Sequence, residues 1–587
     1  MYRAAFIPAL LALFLAMFSL ESRPRPLPQG LAADVLFEGR LAAAEARRIA
    51  TERPDRRPGE ADNLALAEHV RETLAGLGFN TGSPSTFTYA GRDLMNVVGI
   101  RPGRSRRQIV VVAARDAAVV PDAPGSAADT AALLELARVF EGRTTRKTLV
   151  FASVDGTTLG QVGSERLAAE IASPDIVDGV LVISQLGAQE RRGPFVQAWS
   201  NSTRRAGIGL QRTVADSIRR ELEEPAGGSG AIGQLARLSF PVGIGAQGPL
   251  LERGYDAVRI SGSGELPPAG PGPPEAIDEE RLSALGRATL RTVTALDQGA
   301  APARGPGSYV TAVSQVMPSW VLSLVAGTLL LPAFVAAVDA FARARRRRLD
   351  VLRWMRWLGA WVAPFLAGLA AAEVFALAGA TPAPPPAPVP QELLPVDGPA
   401  LGVMGGLLVA MVLAALLGRW LAARPDPALR DPEGPGPGVA VALVTMVGTL
   451  LVWLANPYAG LLAVPVAHLW MVVLLTGTAL RRRVRMVLLA LGALPVLLVV
   501  VYHMFALELD PLEACWYLLM LVTGHSVGLV TAVLGCVMLG ALAAAAELVW
   551  RAPPPPEEPA PEGPAVFGPG AHAGPGSLGG TQSALHR

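Results

Sequence analysis

Apolar and polar positions divide the chain near residue 310 into two regimes. Before it, short apolar runs alternate with charged stretches; after it, long apolar runs follow one another with brief polar joints. A run of about 20 apolar residues crosses a bilayer core of ~30 Å. Such runs lie near 317–341, 357–380, 398–420, 437–455, 460–480, 486–505 and 514–550. The last is too long for one perpendicular helix, and "TGHSVG" (523–528) predicts a break into a short piece and a full span. A further run, Ala4 to Leu20 within residues 1–22, follows Arg3. A cleaved signal and an uncleaved anchor both have this form. No small-x-small site follows it, which favours the anchor and a total of eight spans.

Residues 30–300 read as a separate outer domain. "GEADNLALAEHVRETLAGLGF" (59–79) has apolar residues at helical spacing and a glycine stop. "DLMNVVGI" and "RQIVVVAARD" predict neighbouring strands, rich in β-branched residues. "SAADTAALLELARVFEG" predicts a helix with Ser126 or Asp129 as its N-terminal cap. "KTLVFASVDG", "GVLVISQLG" and "DAVRIS" predict strands, "GQVGSERLAAEI" opens a helix, and "DEERLSALGRATLRTVTALD" closes the domain as one. Alternation of this kind implies an α/β fold with a mostly parallel sheet covered on both faces. Ligands of such folds sit beyond the C-terminal strand ends, where Asp116, Asp155 and Gln185 are expected. Residues 301–316 are a linker, 317–550 a membrane bundle, and the Pro/Gly-rich tail from 551 to 587 lacks the apolar content for a core.

Charge orients the bundle. Arginines crowd the joints after the second, fourth and sixth spans (Arg343 to Arg348; Arg419, Arg424 and Arg430; Arg481 to Arg485). The intervening joints, "TPAPPPAPVPQELLPVDG", "NPYAG" and "ALELDPLEA", carry no cation. By the positive-inside rule both termini are cytoplasmic and the domain faces outward from the cytoplasmic membrane. The net charge of +2, with dispersed cations, gives no nucleic-acid surface. Both cysteines, Cys515 and Cys536, lie in the apolar region, so the outer domain has neither a disulfide framework nor a cysteine–zinc site.

Several ordered blocks resemble the zinc aminopeptidase family (metallopeptidase family M-28): "AALLELAR" (131–138), "LVFASVDGTTLGQVGS" (149–164), "LLERGYDAVRIS" (250–261) and the closing helix. The resemblance covers most of residues 40–299 and implies that family's α/β fold. Carried over by position, its metal chemistry is missing. The first metal His falls on Ala114, the bridging Asp on Gly125, and the general-base Glu and its neighbouring ligand on Thr157 and Thr158. The next ligand Asp falls on Ser184 or Gln185, and the last His belongs in "GSGELPP", which has none. Asp116 survives, in the position that orients the missing His. The domain's one histidine, His69, lies in the first helix, far from any ligand block. A zinc pair needs imidazole and carboxylate ligands and a base for its water, and threonine supplies neither.

The expectation is therefore no metal, no cofactor and no peptidase activity. The layout is similar to that of the glycosylphosphatidylinositol-anchor attachment subunits, which also pair a metal-free domain of this kind with a multi-span bundle. A non-catalytic scaffold or binding subunit is expected. Its vacated crevice would be lined by Asp116, Asp155, Thr157, Thr158 and Gln185, and its partners would be membrane lipids, other membrane proteins, or a peptide or lipid ligand. A membrane-anchored zinc aminopeptidase and a lipid-handling bundle with the domain as lid are the alternatives. Of the ionisable residues in the spans, Asp339 and Glu547 sit beside arginines. Glu373, His468 and His525 are the candidates for a role of their own.

Overall fold

A computed structural model describes residues 4–28, 36–189, 192–268, 270–312, 314–424, 429, 432, 434–476 and 480–551. The tail expected to lack a core, 552–587, lies outside the described residues. The chain begins with a short helix, α1 (Ile7–Phe18), and a two-residue strand, β1 (Glu21–Ser22). Helices α2 (Gly39–Glu52) and α3 (Ala61–Gly76) precede an antiparallel set, β2 (Asn80–Thr81), β3 (Ser85–Tyr89) and β4 (Arg92–Arg101). Strands and helices then alternate: β5 (Ser105–Ala114), α4 (Ala128–Val139), β6 (Lys147–Val154), α5 (Val162–Glu170), β7 (Val177–Ser184) and the edge strand β8 (Phe195–Gln197). Helices α6 (Ile208–Leu222), α7 (Ala231–Ser239) and α8 (Gln247–Glu252), strand β9 (Ala257–Ser261) and helix α9 (Glu279–Gln298) complete the domain.

Eight strands form one sheet in the order β2-β4-β6-β5-β7-β9-β8, with β3 also paired to β4. The four central strands run parallel; β4 and β8 close the sheet antiparallel on either side. Strands β6 and β9 are buried at every residue, as a sheet covered on both faces requires. The expected neighbours β4 and β5 are separated by β6. Between them Pro102 and Gly103 carry the chain across the start of β6, where a side chain at Gly103 would strike the Lys147 backbone. Helix α4 leads from β5 to β6, whereas α5 leads past β5 to β7 on its other side. That reversal opens a crevice at the C-terminal ends of β5 and β7.

The turn into α4 is capped by neither expected residue. The Asp122 carboxylate accepts from Ser126 N at 2.8 Å, and this leaves Asp129, in the first turn of α4, turned elsewhere. The 301–316 segment, expected as a plain linker, contains strand β10 (Tyr309–Ala312) and the first residues of β11 (Gln315–Pro318), which pair antiparallel. Strand β1 adds to β11, with Glu21 opposite Val316. Tyr309 is fully buried at this joint, its ring 4.5 Å from the Arg205 guanidinium carbon.

The apolar region forms α10 (Ser319–Arg346), α11 (Val351–Leu377), α12 (Gly398–Ala423), α13 (Pro435–Ala455), α14 (Pro457–Leu462), α15 (Val464–Leu475), α16 (Arg482–Ala506), α17 (Pro511–Thr523) and α18 (Leu529–Arg551). Among the described residues, seven helices are long and apolar enough to cross a membrane, with α14 and α15 counted as one. The break at 523–528 occurs as expected and leaves α17 short. The expected eighth span is not of spanning length: α1 has 12 residues, roughly 18 Å at 1.5 Å per residue. It packs Ala9, Ala12 and Ala16 inward and leaves Leu10, Leu13, Phe14 and Met17 exposed. At its near end Phe6 stacks on His468, which bonds the Leu329 carbonyl partway along α10.

The cation-free joints all meet the outer domain. Pro386 packs on Gly160, Asn456 Nδ2 donates to Leu238 O at 2.7 Å, and Tyr502 accepts from Arg237 Nε at 3.0 Å. Tyr517 of α17 donates to Val389 O, so α17 lies along this same face. The arginine joints fall at the opposite ends of the same helices, where Asp339 pairs with Arg343 and Glu547 with Arg551. In a chain with Cys515 and Cys536 replaced by serine, a Cys at exposed Ser173 and one at exposed Ala380 are expected to react with a membrane-impermeant thiol reagent from one side of the membrane. A Cys at exposed Arg347 is expected to react only from the other. Labelling of Ala380→Cys together with Arg347→Cys from one side would contradict the arrangement.

Candidate functional site

Strand β5 ends at Ala114, paired with Val154 of β6. Two residues on, Asp116 is buried at 3 % exposure. Strand β6 runs through Asp155 into Gly156, whose φ of +67° turns the chain sharply into the Thr157–Leu159 helical turn. Only glycine adopts that φ without strain, and a side chain there would also meet Val162 and Leu94. The turn aims its first two amides and hydroxyls at Asp116. Oδ1 accepts from Thr157 N at 3.1 Å and Thr157 Oγ1 at 2.7 Å; Oδ2 accepts from Thr158 N at 2.9 Å and Thr158 Oγ1 at 2.8 Å. An ionised carboxylate has about four acceptor positions. All four are taken.

Asp129 forms the second carboxylate of the crevice. Its two oxygens accept from Gln185 N at 2.8 Å and Leu186 N at 2.9 Å, just past the end of β7. Burial pushes it up to about 8, against the pull of those two amides. Gln185, at φ +57°, presents a side chain whose Oε1 is buried without a partner. Arg259 of β9 also lines the crevice, and burial lowers it to about 10. The cavity measures about 140 Å³, and its far wall comes from the membrane region, through Pro390, Glu392 and Leu393.

The expected crevice residues thus divide. Asp116, Thr157, Thr158 and Gln185 do line one cavity, with Ala114 at its floor. Asp155 does not. It is fully buried beneath, accepting from Asn63 Nδ2 at 2.7 Å and lying 3.5 Å from the Arg115 guanidinium, itself fully buried. Burial raises Asp155 and lowers Arg115, while each charge opposes the shift of the other. Gly125 lies outside the cavity lining, and a side chain there would strike the Asp122 carboxylate. The carboxylate this segment does supply is Asp129, four residues on, expected only as a candidate cap of α4. Arg259 and Glu392 were not anticipated. The signal for Arg259 was a lone cation in the apolar strand "AVRIS"; Glu392 carried none.

These residues do not fit a zinc pair. Among the described residues no group of three or more His, Cys, Asp or Glu could hold a metal ion. Of the two carboxylates at the strand ends, Asp116 has its four acceptor positions filled from the threonine turn, and each oxygen of Asp129 accepts one backbone amide. His69 is remote: its Nε2 lies 3.0 Å from Glu45, between α2 and α3.

No family model matches the chain, and no curated protein matches it. Among solved structures, it is similar to a zinc aminopeptidase from Bacillus subtilis at 12% identity and a TM-score of 0.36, over 46% of this chain and 95% of that one. It is similar to an Acidobacteriales bacterium glutaminyl cyclase at 14% identity and a TM-score of 0.35, over 47% and 99%. A Zn-dependent exopeptidase from Parabacteroides distasonis gives 16% identity and a TM-score of 0.35, over 44% and 98%. Likeness of that degree bears no weight for the site. The class stands on the strand order: an α/β domain with a mixed sheet, joined to a bundle of long apolar helices.

If the four donors hold Asp116 as a charge, removing hydroxyls should be felt in stability. Thr157→Val and Thr158→Val each delete one bond to a carboxylate, worth about 1.5–3 kcal/mol. Thermal unfolding of the detergent-solubilised chain should show each lowering the midpoint, and Thr157→Ser nearly restoring it. Unchanged midpoints in both valine variants would mean the clamp is not formed.

Proposed function

We propose that this chain is a multi-pass membrane protein whose aminopeptidase-like outer domain is catalytically inactive and works as a binding or scaffold element. One observation carries it: the turn that would hold a general base and a metal ligand holds Thr157 and Thr158, and both are spent on Asp116. A base acts only within reach of the proton it takes and with a matched pKa, and a threonine hydroxyl bonded to a carboxylate offers neither. The crevice is left as a recess with buried polar groups and no activated water. Its layout, with domain, joint and multi-span bundle, supports the comparison with the glycosylphosphatidylinositol-anchor attachment subunits as scaffold proteins, without their substrate.

By the positive-inside rule the arginine ends of α10, α12, α15, α16 and α18 are cytoplasmic, and the domain stands outside the cytoplasmic membrane. A second reading, the domain as lid over a lipid-handling bundle, is favoured by the crevice wall formed by Pro390 to Leu393. The joint that carries them connects two membrane helices.

The purified full-length chain is expected to contain no stoichiometric zinc by elemental analysis. Its melting temperature should not respond to chelator, and it should not hydrolyse aminoacyl substrates. Stoichiometric zinc, or hydrolysis abolished by chelation, would overturn the inactive assignment.

A further inference from the structure

One group in the crevice is used neither by the Asp116 clamp nor by the contacts that seat the domain on the bundle. Arg259 stands in β9 opposite Val182 of β7 and Gln197 of β8, and is 5 % exposed. The only acceptor it meets among the described residues is the Glu265 carbonyl, and its Nε is buried without one. Beside it Gln247 Oε1 and both amide atoms of Gln197 are likewise buried and unpartnered. Native interiors leave few such atoms unmet, and a guanidinium with spare donors is matched to the oxygens of a phosphate or carboxylate. The charges of Glu265 and Asp129 both act on Arg259, but neither carboxylate bonds it: Glu265 is bonded by Arg237 and by Trp199 Nε1, and Asp129 by two backbone amides.

The crevice adjoins a second recess beside the apolar helices. This second cavity, about 530 Å³, shares Pro267, Pro390 and Glu392 with the first. It is lined by Leu266, Val396, Leu401, Leu507 and Leu512, at the domain-side ends of α12, α16 and α17. The inner cavity, at about 140 Å³, has room for a small anionic group such as a phosphate. The outer cavity carries the carboxylates of Glu392, Glu508, Asp510 and Glu513, of which Glu508 pairs with Arg192 while Asp510 and Glu513 cap α17, so its lining keeps a net negative charge. Their field opposes a head with net negative charge and tolerates one that also bears a cation.

We propose that Arg259 is the phosphate contact of a lipid-headgroup site, which draws a zwitterionic, ammonium-bearing phospholipid from the bilayer surface through the Leu266–Leu401–Leu507 cleft. This rests on the crevice being a binding site, not a catalytic one. The guanidinium, which lines the inner cavity, holds the phosphate, the acidic rim faces the ammonium, and the acyl stem stays against the leucines.

The test uses the full-length chain in neutral detergent, with lipid binding read by native mass spectrometry and by shift in melting temperature. Phosphatidylethanolamine should bind and stabilise; phosphatidylglycerol should bind about tenfold or more weaker, and inorganic phosphate alone should give no shift. Arg259→Met should weaken phosphatidylethanolamine by about tenfold or more, the scale of one lost charged contact. Arg259→Lys, which keeps the charge and should fold even if the methionine variant does not, should fall between. Equal binding by wild type and Arg259→Lys or Arg259→Met would overturn the site. A shift with inorganic phosphate as large as with lipid would show a free-anion site instead, and equal binding of the two lipids would remove the role of the rim. Zinc in the protein would sink the inactive assignment itself; zinc-free protein indifferent to lipid would sink only this proposal.

Discussion

Four donors converging on one carboxylate set the character of this molecule. Asp116 lies at the reversal of strand order, where an α/β sheet places its chemistry, and a buried carboxylate is costly unless its acceptor positions are filled. Here they are filled by two consecutive threonines from a single turn. That turn exists because Gly156 takes a left-handed conformation directly after β6. Through that turn the end of β6 is tied to the end of β5.

The second constraint is the seating of the domain on the bundle. Arg237 and Glu265, at 6 % and 5 % exposure, form a buried ion pair. The guanidinium carbon sits 4.3 Å from the Trp199 ring centre and its Nε reaches Tyr502 of α16. Val242 and Ile244 pack with Val389, Leu394, Trp516 and Met520 from the membrane region. The ion pair lies within the domain and holds the Arg237 guanidinium where its Nε meets Tyr502. The crevice is consequently composite: its floor belongs to the sheet and its far wall to the joint between α11 and α12. Any ligand that fills it touches both halves of the chain.

Much of this was legible in the sequence, for physical reasons that differ by element. Strands β5, β6, β7 and β9 were visible as β-branched runs, and the bundle as runs of spanning length with alternating arginine joints. Asp155 was misplaced because strand ends were counted without the pleat. Ala114 and Val154 are partners across the ladder; Asp116 follows by two residues and keeps the face, whereas Asp155 follows by one and points the other way. Asp129 was expected only as a cap, yet from the first turn of α4 it reaches the amides just past the end of β7. Glu392 and the far wall could not be read at all, since they depend on contacts between residues more than a hundred apart.

Zinc-edge anomalous diffraction from crystals of the full-length protein grown with excess zinc addresses the central claim most directly. With Asp116 saturated by Thr157 and Thr158, no anomalous peak should lie within about 2.2 Å of any Asp116 or Asp129 oxygen, the distance of a zinc–carboxylate bond. The Asp116 carboxylate should appear between the two threonine hydroxyls. A peak bridging Asp116 and Asp129, with the threonines turned away, would show a working metal site and contradict the account at its root.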